Sequence, residues 1–464
     1  MGTQHSNKAA RFLKNGTYAK WHDATFWSVR TKRDNMAQGL DEWEQLREKA
    51  SAIKRHTITH LDGYLDLFAT NAEKNGVIVH WAKDAREFNE TVYDILRQHD
   101  VKKMVKSKSM LTEECDMNPY LESKGIEVVE TDLGERIIQL KGQKPSHIVM
   151  PAIHLNHDDV GELFEEKGIS TEKGNHDPTY LTYRARLSLR NEFLTADAGM
   201  TGANFGIAAT GDVVVCTNEG NADMSTSCPK LHIVAIGLEK VIPNYECLAV
   251  FQRMLCRAGT GQPTTTYTSH FRKPRRVTGA DGRVERGEMH IILVDNGRSD
   301  WVANPEHWEV LKCIRCGSCM NTCPVYRRSG GYSYSYFIPG PVGINLGMLR
   351  NAQRHSGNVS ACTLCLSCQT VCPVKIDLGD QIYKWRQKLD SFGTANKEKK
   401  LMCKGMDFLF GHPTLYKMGT AVSPVANIIP PFIINAKLNP WAEGHEMMKF
   451  PKRPFHEEFK RMKK

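Results

Sequence analysis

Eight of the fourteen cysteines fall in two short blocks whose spacing suits metal ligation. Cys313, Cys316, Cys319 and Cys323 are followed by Pro324, and Cys362, Cys365, Cys368 and Cys372 by Pro373. In both blocks the gaps are two residues, two, then three, with proline behind. Paired cubane clusters are held by such runs: three cysteines of a block bind one cluster, and the fourth reaches to the other. Steps of three let a tight loop place three thiolates around one cubane. The fourth faces away, and proline fixes the chain direction after it. The spacing therefore assigns one [4Fe-4S] cluster to Cys313, Cys316, Cys319 and Cys372, and a second to Cys362, Cys365, Cys368 and Cys323. The crossing keeps the two clusters close, as an electron relay requires. Ile314, Gly317, Ser318, Leu364, Leu366, Ser367 and Val371 fill the gaps, limiting water and leaving backbone N–H groups for the sulfurs. Zinc is the competing occupant, but its sites use two separated ligand pairs rather than four cysteines in one short run.

The other cysteines (Cys115, Cys216, Cys228, Cys247, Cys256 and Cys403) lack ligand spacing and are expected to be small buried hydrophobes. No apolar leader opens the chain, so disulfides are not expected and a cytoplasmic setting is.

Outside the blocks, Gly202, Gly206, Gly211 and the run Thr217-Asn218-Glu219-Gly220-Asn221 form the most informative feature. A strand ending there would put polar groups at a sheet edge, where α/β domains bind ligands. One reading is a pocket for a small anionic substrate with Glu219 as base; the other is a turn whose glycines merely allow positive φ. His147, His154 and His157 are expected to be core or capping histidines. Lys106 and Lys108 share a strand parity and could meet an anion, but are expected to be solvated. No G-x-G-x-x-G follows a strand, so no nucleotide-binding fingerprint is present.

The elements that must position these groups alternate. Apolar residues at helical spacing run from Asp41 to Ala72. Strands are expected at Val77–Trp81, Val101–Val105, Ile126–Val129 and Ser146–Ile153, with helices at Asp84–His99, up to Lys124, and at Asp158–Lys167 and Thr179–Leu194. Further strands follow at Gly206–Ala209, Val213–Thr217, Leu231–Gly237 and Met289–Asp295. This is a βαβ pattern with a parallel sheet. The span Gly259–Gly287 reads as a long loop or hairpin. After Trp301 regular periodicity fades until a helix at Asp380–Lys400. The division expected is an N-terminal extension (1–40), an α/β domain (41–300), a cluster domain (301–400) and a proline-punctuated C-terminal extension (401–464).

The 464 residues carry a net charge of +10, with basic runs at Arg272, Lys273, Arg275, Arg276, Arg283 and Arg286, and at Lys452, Arg453, Lys460, Arg461, Lys463 and Lys464. No nucleic-acid-binding signature accompanies them, so they read as solvated faces or a docking surface. Met1-Gly2 with Ser6 matches the short myristoylation pattern. The apolar stretch Met418–Ile434 is too short and too broken by proline to span a bilayer, and is expected to be a loop or buried extension.

Taken together, the chain resembles the lactate utilization protein B family from about Arg47 to Lys388. The resemblance rests on the paired cysteine blocks and on Gly340-Pro341-Val342-Gly343 between them. It extends to Glu130-Thr131-Asp132-Leu133-Gly134-Glu135, Pro145-Ser146-His147-Ile148, Pro151-Ala152-Ile153-His154, Phe205-Gly206-Ile207-Ala208, Thr217 to Asn221, and Leu231 to Lys240. It implies an α/β domain of the LUD type, similar to the sugar-isomerase and coenzyme A transferase group, followed by a mostly helical ferredoxin-type domain. It also implies electron transfer during oxidation of L-lactate to pyruvate. The implied partners are a cysteine-rich heterodisulfide-reductase-type subunit and a second LUD protein. Tyr332 to Phe337 departs from the glycine-rich stretch expected there, and the last sixty or so residues fit poorly. An iron–sulfur subunit of another 2-hydroxy acid oxidoreductase, such as a glycolate oxidase, and a redox-sensing metabolite-binding protein are the alternatives.

Overall fold

The computed structural model describes residues 4–278, 282, 284–393, 397–434 and 449–463. Met1, Gly2, Arg283 and Lys464, named above for lipidation and charge, lie outside them. The chain forms two compact units, Met1–Leu389 and Asp390–Lys464.

In the first unit the strands run, in chain order, β1 (Ile78–Ala82), β2 (Lys103–Lys106), β3 (Glu127–Glu130), β4 (Ala198–Thr201), β5 (Phe205–Ile207), β6 (Asp212–Thr217), β7 (Leu231–Gly237), β8 (Val241–Ile242), β9 (Tyr267–Phe271), β10 (Arg276–Thr278), β11 (Val284–Arg286) and β12 (Glu288–Val294). Six of them make an all-parallel sheet in the order β1-β12-β7-β4-β2-β3. Strand β7, Leu-His-Ile-Val-Ala-Ile-Gly, is buried along its whole length, as a central parallel strand covered on both faces must be. One face packs Phe88, Val92 and Leu96 of helix Ala85–Gln98 on Met104, Ile233 and Ile292. The other packs Phe68 and Ala72 of helix Leu61–Lys74 on Val234, Ile236, Ile291 and Leu293. The chain leaves β2 outward to β3, whereas β4 leads the other way to β7 and β12. Their carboxyl ends therefore part between β2 and β4, which opens a crevice there. The second sheet, β8-β5-β6-β9, is mixed, and β10 and β11 form a hairpin.

Three expectations change. Ser146–Ile153 is a run of bends and turns, not a strand. Its backbone hydrogen bond from Ser146 N–H to Pro151 O folds it back on itself, and it crosses toward the first cysteine block. The supposedly aperiodic span after Trp301 contains helix Gly340–Ala361, kinked at Asn351 (φ −160°, ψ 95°). Its glycines hid the helical stripe: a Cβ at Gly343 would overlap the carbonyl of Ile338. Met418–Ile434 is neither loop nor buried extension. It contains the end of helix Pro413–Val422 and the 3-10 turn Ser423–Ile428, with Met418 and Ile428 exposed.

Ahead of the sheet domain, helices Gln4–Lys14, Gly16–Gln38 and Trp43–Thr59 lie against the cysteine blocks. Phe26 is fully buried, edge-on to Tyr326, and His22 Nδ1 meets Arg327 O at 2.7 Å. Arg47 donates to the carbonyls of Cys372 (3.0 Å) and Thr370 (2.9 Å).

Candidate iron–sulfur centre and ligand cavity

The two blocks fold into the same loop. Arg315 (φ 60°) and Gly317 (φ 81°) of the first correspond to Leu364 (φ 54°) and Leu366 (φ 61°) of the second. In each, two left-handed residues curl the chain around its first three cysteines before a short helix, Ser318–Thr322 or Ser367–Thr370. Leucine takes this backbone at a cost of order 1–3 kcal/mol, with Leu366 45% exposed. At 317 a side chain would be strained by the left-handed backbone and crowded as well, because a Cβ would sit 3.1 Å from His147 Cε1 and 3.2 Å from Val149 Cγ2. The left-handed turns free N–H groups for sulfur: Arg315 N lies 3.4 Å from Cys313 Sγ and Leu364 N 3.4 Å from Cys362 Sγ. Tyr326 N and Ile376 N likewise approach Cys323 Sγ (3.5 Å) and Cys372 Sγ (3.4 Å).

The thiols gather in two groups. Burial, then Cys313 and Cys372, push the Cys316 thiol up to about 12. Cys372 rises to about 11 for the same reason, with Cys313 beside it. In the other group burial lifts Cys323 to about 11, with Cys362 and Cys365 adding repulsion, and Cys368 rises with Cys323, Cys362 and Cys365 around it. A small cavity is walled by Cys313, Cys316, Cys319 and Cys372. None of the eight is in a disulfide. Thiols crowded so closely cannot ionise together in a dry site unless a cationic group binds them, so this donor set fits a thiolate-ligated iron centre.

His147 ties the sheet domain to the first block. Its Nδ1 accepts from Val149 N and Met150 N, both at 3.0 Å, which places the ring proton on Nε2, 3.1 Å from Asn321 Oδ1. Asn321 in turn donates to Gly259 O at 2.7 Å. His154 caps Ser146 Oγ at 2.8 Å, and His157 pairs with Asp158 at the surface. His147 is a core residue, as its sequence setting suggests, whereas His157 is exposed and not part of the core.

Lys106 is not solvated. It is fully buried, 2.7 Å from Glu130 and 3.6 Å from Glu113, and donates to Thr112 Oγ1. Burial and Glu130 push the neighbouring Glu135 carboxyl well above its usual range. Lys108 does face inward, donating to Val149 O at 2.6 Å.

The crevice between β2 and β4 deepens into a cavity of about 340 Å³. Glu219 lines it with Asp132, Lys108 and Gly202. Leu133 N–H donates to Glu219 Oε2 at 3.1 Å, yet burial and Asp132 lift this carboxyl to about 7. Of the neighbouring glycines only Gly211 has positive φ (73°), and it packs on Ala72, so the turn reading applies there alone. Glu239, Lys240, Arg298 and Arg315 line the cavity as well. Burial alone would raise Glu239; Arg298, Lys240 and Arg315 overrule it and hold this carboxylate at about 2. Lys240 falls to about 8 through burial.

Residues 65–294 match the LUD domain family and residues 309–376 the 4Fe-4S dicluster domain family. A protein of Shouchella clausii named lactate utilization protein B is 39% identical over 430 residues, 92% of this chain and 89% of that one. Namesakes in Geobacillus thermodenitrificans and Bacillus velezensis are 41% and 40% identical, covering 85% and 89% of this chain and 82% and 85% of theirs. The chain belongs to the lactate utilization protein B family. A crystal structure of a DUF162 family protein from Deinococcus radiodurans covers 50% of the chain and 98% of its own at 14% identity, with a TM-score of 0.28, too slight an overlap to bear on the fold.

In this member of the family, the gap between the LUD and dicluster matches holds Arg298. It spans Glu239 of the sheet domain and Glu114, 2.9 Å away, which Arg350 of the kinked helix also reaches at 2.9 Å. Sequence reasoning missed the cluster of Glu239, Lys240, Arg298 and Arg315. The signal was present as Gly237-Leu238-Glu239-Lys240 at the end of the fully buried strand β7, the position where a parallel sheet presents ligand groups.

Proposed function

We propose that this chain is the iron–sulfur subunit of a lactate-utilization system. In this reading it holds two [4Fe-4S] clusters, on Cys313, Cys316, Cys319 and Cys372 and on Cys362, Cys365, Cys368 and Cys323. They relay electrons released when L-lactate is oxidised to pyruvate. The grouping of Cys323 with the second block's thiols, and of Cys372 with the first, carries the reading. The clusters would supply one-electron acceptance; the chain's own part is to bind them, bond their sulfurs through backbone N–H groups and keep water from the first. The partners are a cysteine-rich heterodisulfide-reductase-type subunit and a second LUD protein, which complete the two-electron chemistry. The second block, with Cys365 and Leu366 exposed, is the end they can approach. No helix among the described residues is long and apolar enough to cross a membrane. The test is to reconstitute the three proteins anaerobically and follow the cluster charge-transfer absorbance on adding substrate. Bleaching by L-lactate and not by glycolate is expected. Bleaching by glycolate alone would assign the chain to another 2-hydroxy acid, and no bleaching by either would refute the relay.

A further inference from the structure

The ligand cavity and the first cysteine quartet share a wall. Cys316 and Ile148 border both the cavity and the small void among Cys313, Cys316, Cys319 and Cys372. Arg315, between the first two cysteines, lines the cavity too. Its Nη2 lies 3.5 Å from Glu239, whereas its Nη1 is buried with no hydrogen-bond partner. Lys240 lines the same wall, with the Glu239 carboxylate as its nearest opposite charge. Arg298 differs, being engaged by Glu114 and Glu239. A guanidinium with an unfilled donor and a lysine ammonium group thus line one cavity beside Cys316. An unpaired buried donor is destabilising, and a ligand oxygen would relieve it. Elsewhere on the wall Glu219 and Asp132 offer acceptors suited to a hydroxyl.

We propose that this cavity binds a small organic carboxylate on Lys240 and Arg315, and that its occupancy is linked to the oxidation state of the adjoining cluster. The inference rests on the relay reading and extends it. An anion held against the cluster in a poorly screened site opposes the arrival of an electron. Bound carboxylate therefore lowers the cluster potential, and by reciprocity the reduced protein binds the carboxylate less tightly by the same factor. A tenfold affinity ratio corresponds to a fall of about 59 mV for a one-electron couple.

Calorimetric titration of the holoprotein with L-lactate and with pyruvate, oxidised and then dithionite-reduced, tests this directly, alongside redox titrations followed by electron paramagnetic resonance. Saturable binding that weakens on reduction is expected, with a matching drop in one cluster's potential. Lys240→Met should weaken binding at least tenfold (an order-of-magnitude expectation for a lost charged hydrogen bond), and Lys240→Arg should retain it. Iron and sulfide are counted on the same samples. Full clusters with no saturable binding, or with equal affinity in both states, overturn the inference and leave the relay standing. Absent clusters overturn the relay itself. Should Lys240→Met fail to fold, the comparison of oxidised and reduced wild type still decides.

Discussion

Cys372 and Cys323 are the residues at which the crossing of the two blocks can be read. Cys372→Ser should remove the cluster whose other ligands are Cys313, Cys316 and Cys319, leaving about half the iron, and Cys323→Ser should remove the other. Spectra showing that each serine destroys its own block's cluster would contradict the crossing. Gly317→Ala meets both a left-handed backbone and the His147 ring. It should cost about 1–3 kcal/mol, seen as a lower unfolding midpoint and faster loss of iron to a chelator. His232 shows what buried histidines do to acid stability. Buried, 2.9 Å from Thr201 Oγ1, its imidazole falls to about 3 through burial, with His290 adding to it. The folded value lies below the unfolded one, so the unfolded chain takes the proton first. The stabilising contribution is therefore complete above pH ~6.5 and lost as pH falls toward 3, at about 1.4 kcal/mol per pH unit. Denaturant titrations at pH 7 and 5.5 should show the stability advantage of wild type over His232→Gln shrinking by roughly that amount; a constant gap would mean the ring is not held neutral. The two cysteine blocks stand out in the sequence because their spacing is local. Lys106 was misread because its carboxylate partners, Glu113 and Glu130, arrive through packing that a strand's parity does not encode.

Among the elements, most of the strands and helices between Ile78 and Thr195 were legible to within a residue or two, as short apolar runs alternating with helical stripes. Helix Leu133–Leu140 and strand β4 went unforeseen, and two further segments were misread. Ser146–Ile153 has a strand's composition but is held as turns by Ser146, Pro151 and His147, contacts that only the tertiary structure supplies. Helix Gly340–Ala361 uses glycine where backbones touch, which erases the stripe that periodicity detects. The ligand cavity was half legible: Glu219 was found, whereas the opposite wall depends on how β7 and the segment after β12 meet. Arg298 joins these elements, and removing its charge takes the shared partner from two buried carboxylates, leaving Arg350 for Glu114 and Arg315 for Glu239. Arg298→Met should destabilise the protein by about 3–5 kcal/mol, measured by denaturant unfolding. A loss below ~1 kcal/mol, the range of a solvated pair, would show that the bridge matters little.

Across the first unit, the N-terminal helices, sheet domain and cysteine blocks close on one another, so residues 4–38 are part of the packing around the cysteine blocks rather than an appendage. Phe26, His22 and Tyr326 form one buried aromatic group, and Arg33 is buried near Cys316. Deleting residues 1–40 should therefore speed oxygen-driven bleaching of the charge-transfer band several-fold; an unchanged rate would make the helices dispensable for shielding. The central claim, a two-cluster relay, is tested most directly by counting iron and sulfide in anaerobically purified protein and recording paramagnetic resonance before and after dithionite. About eight irons and eight sulfides per chain, with spin-coupled signals on reduction, are the predicted result. Zinc in place of iron, or a protein with no reducible signal, would contradict it.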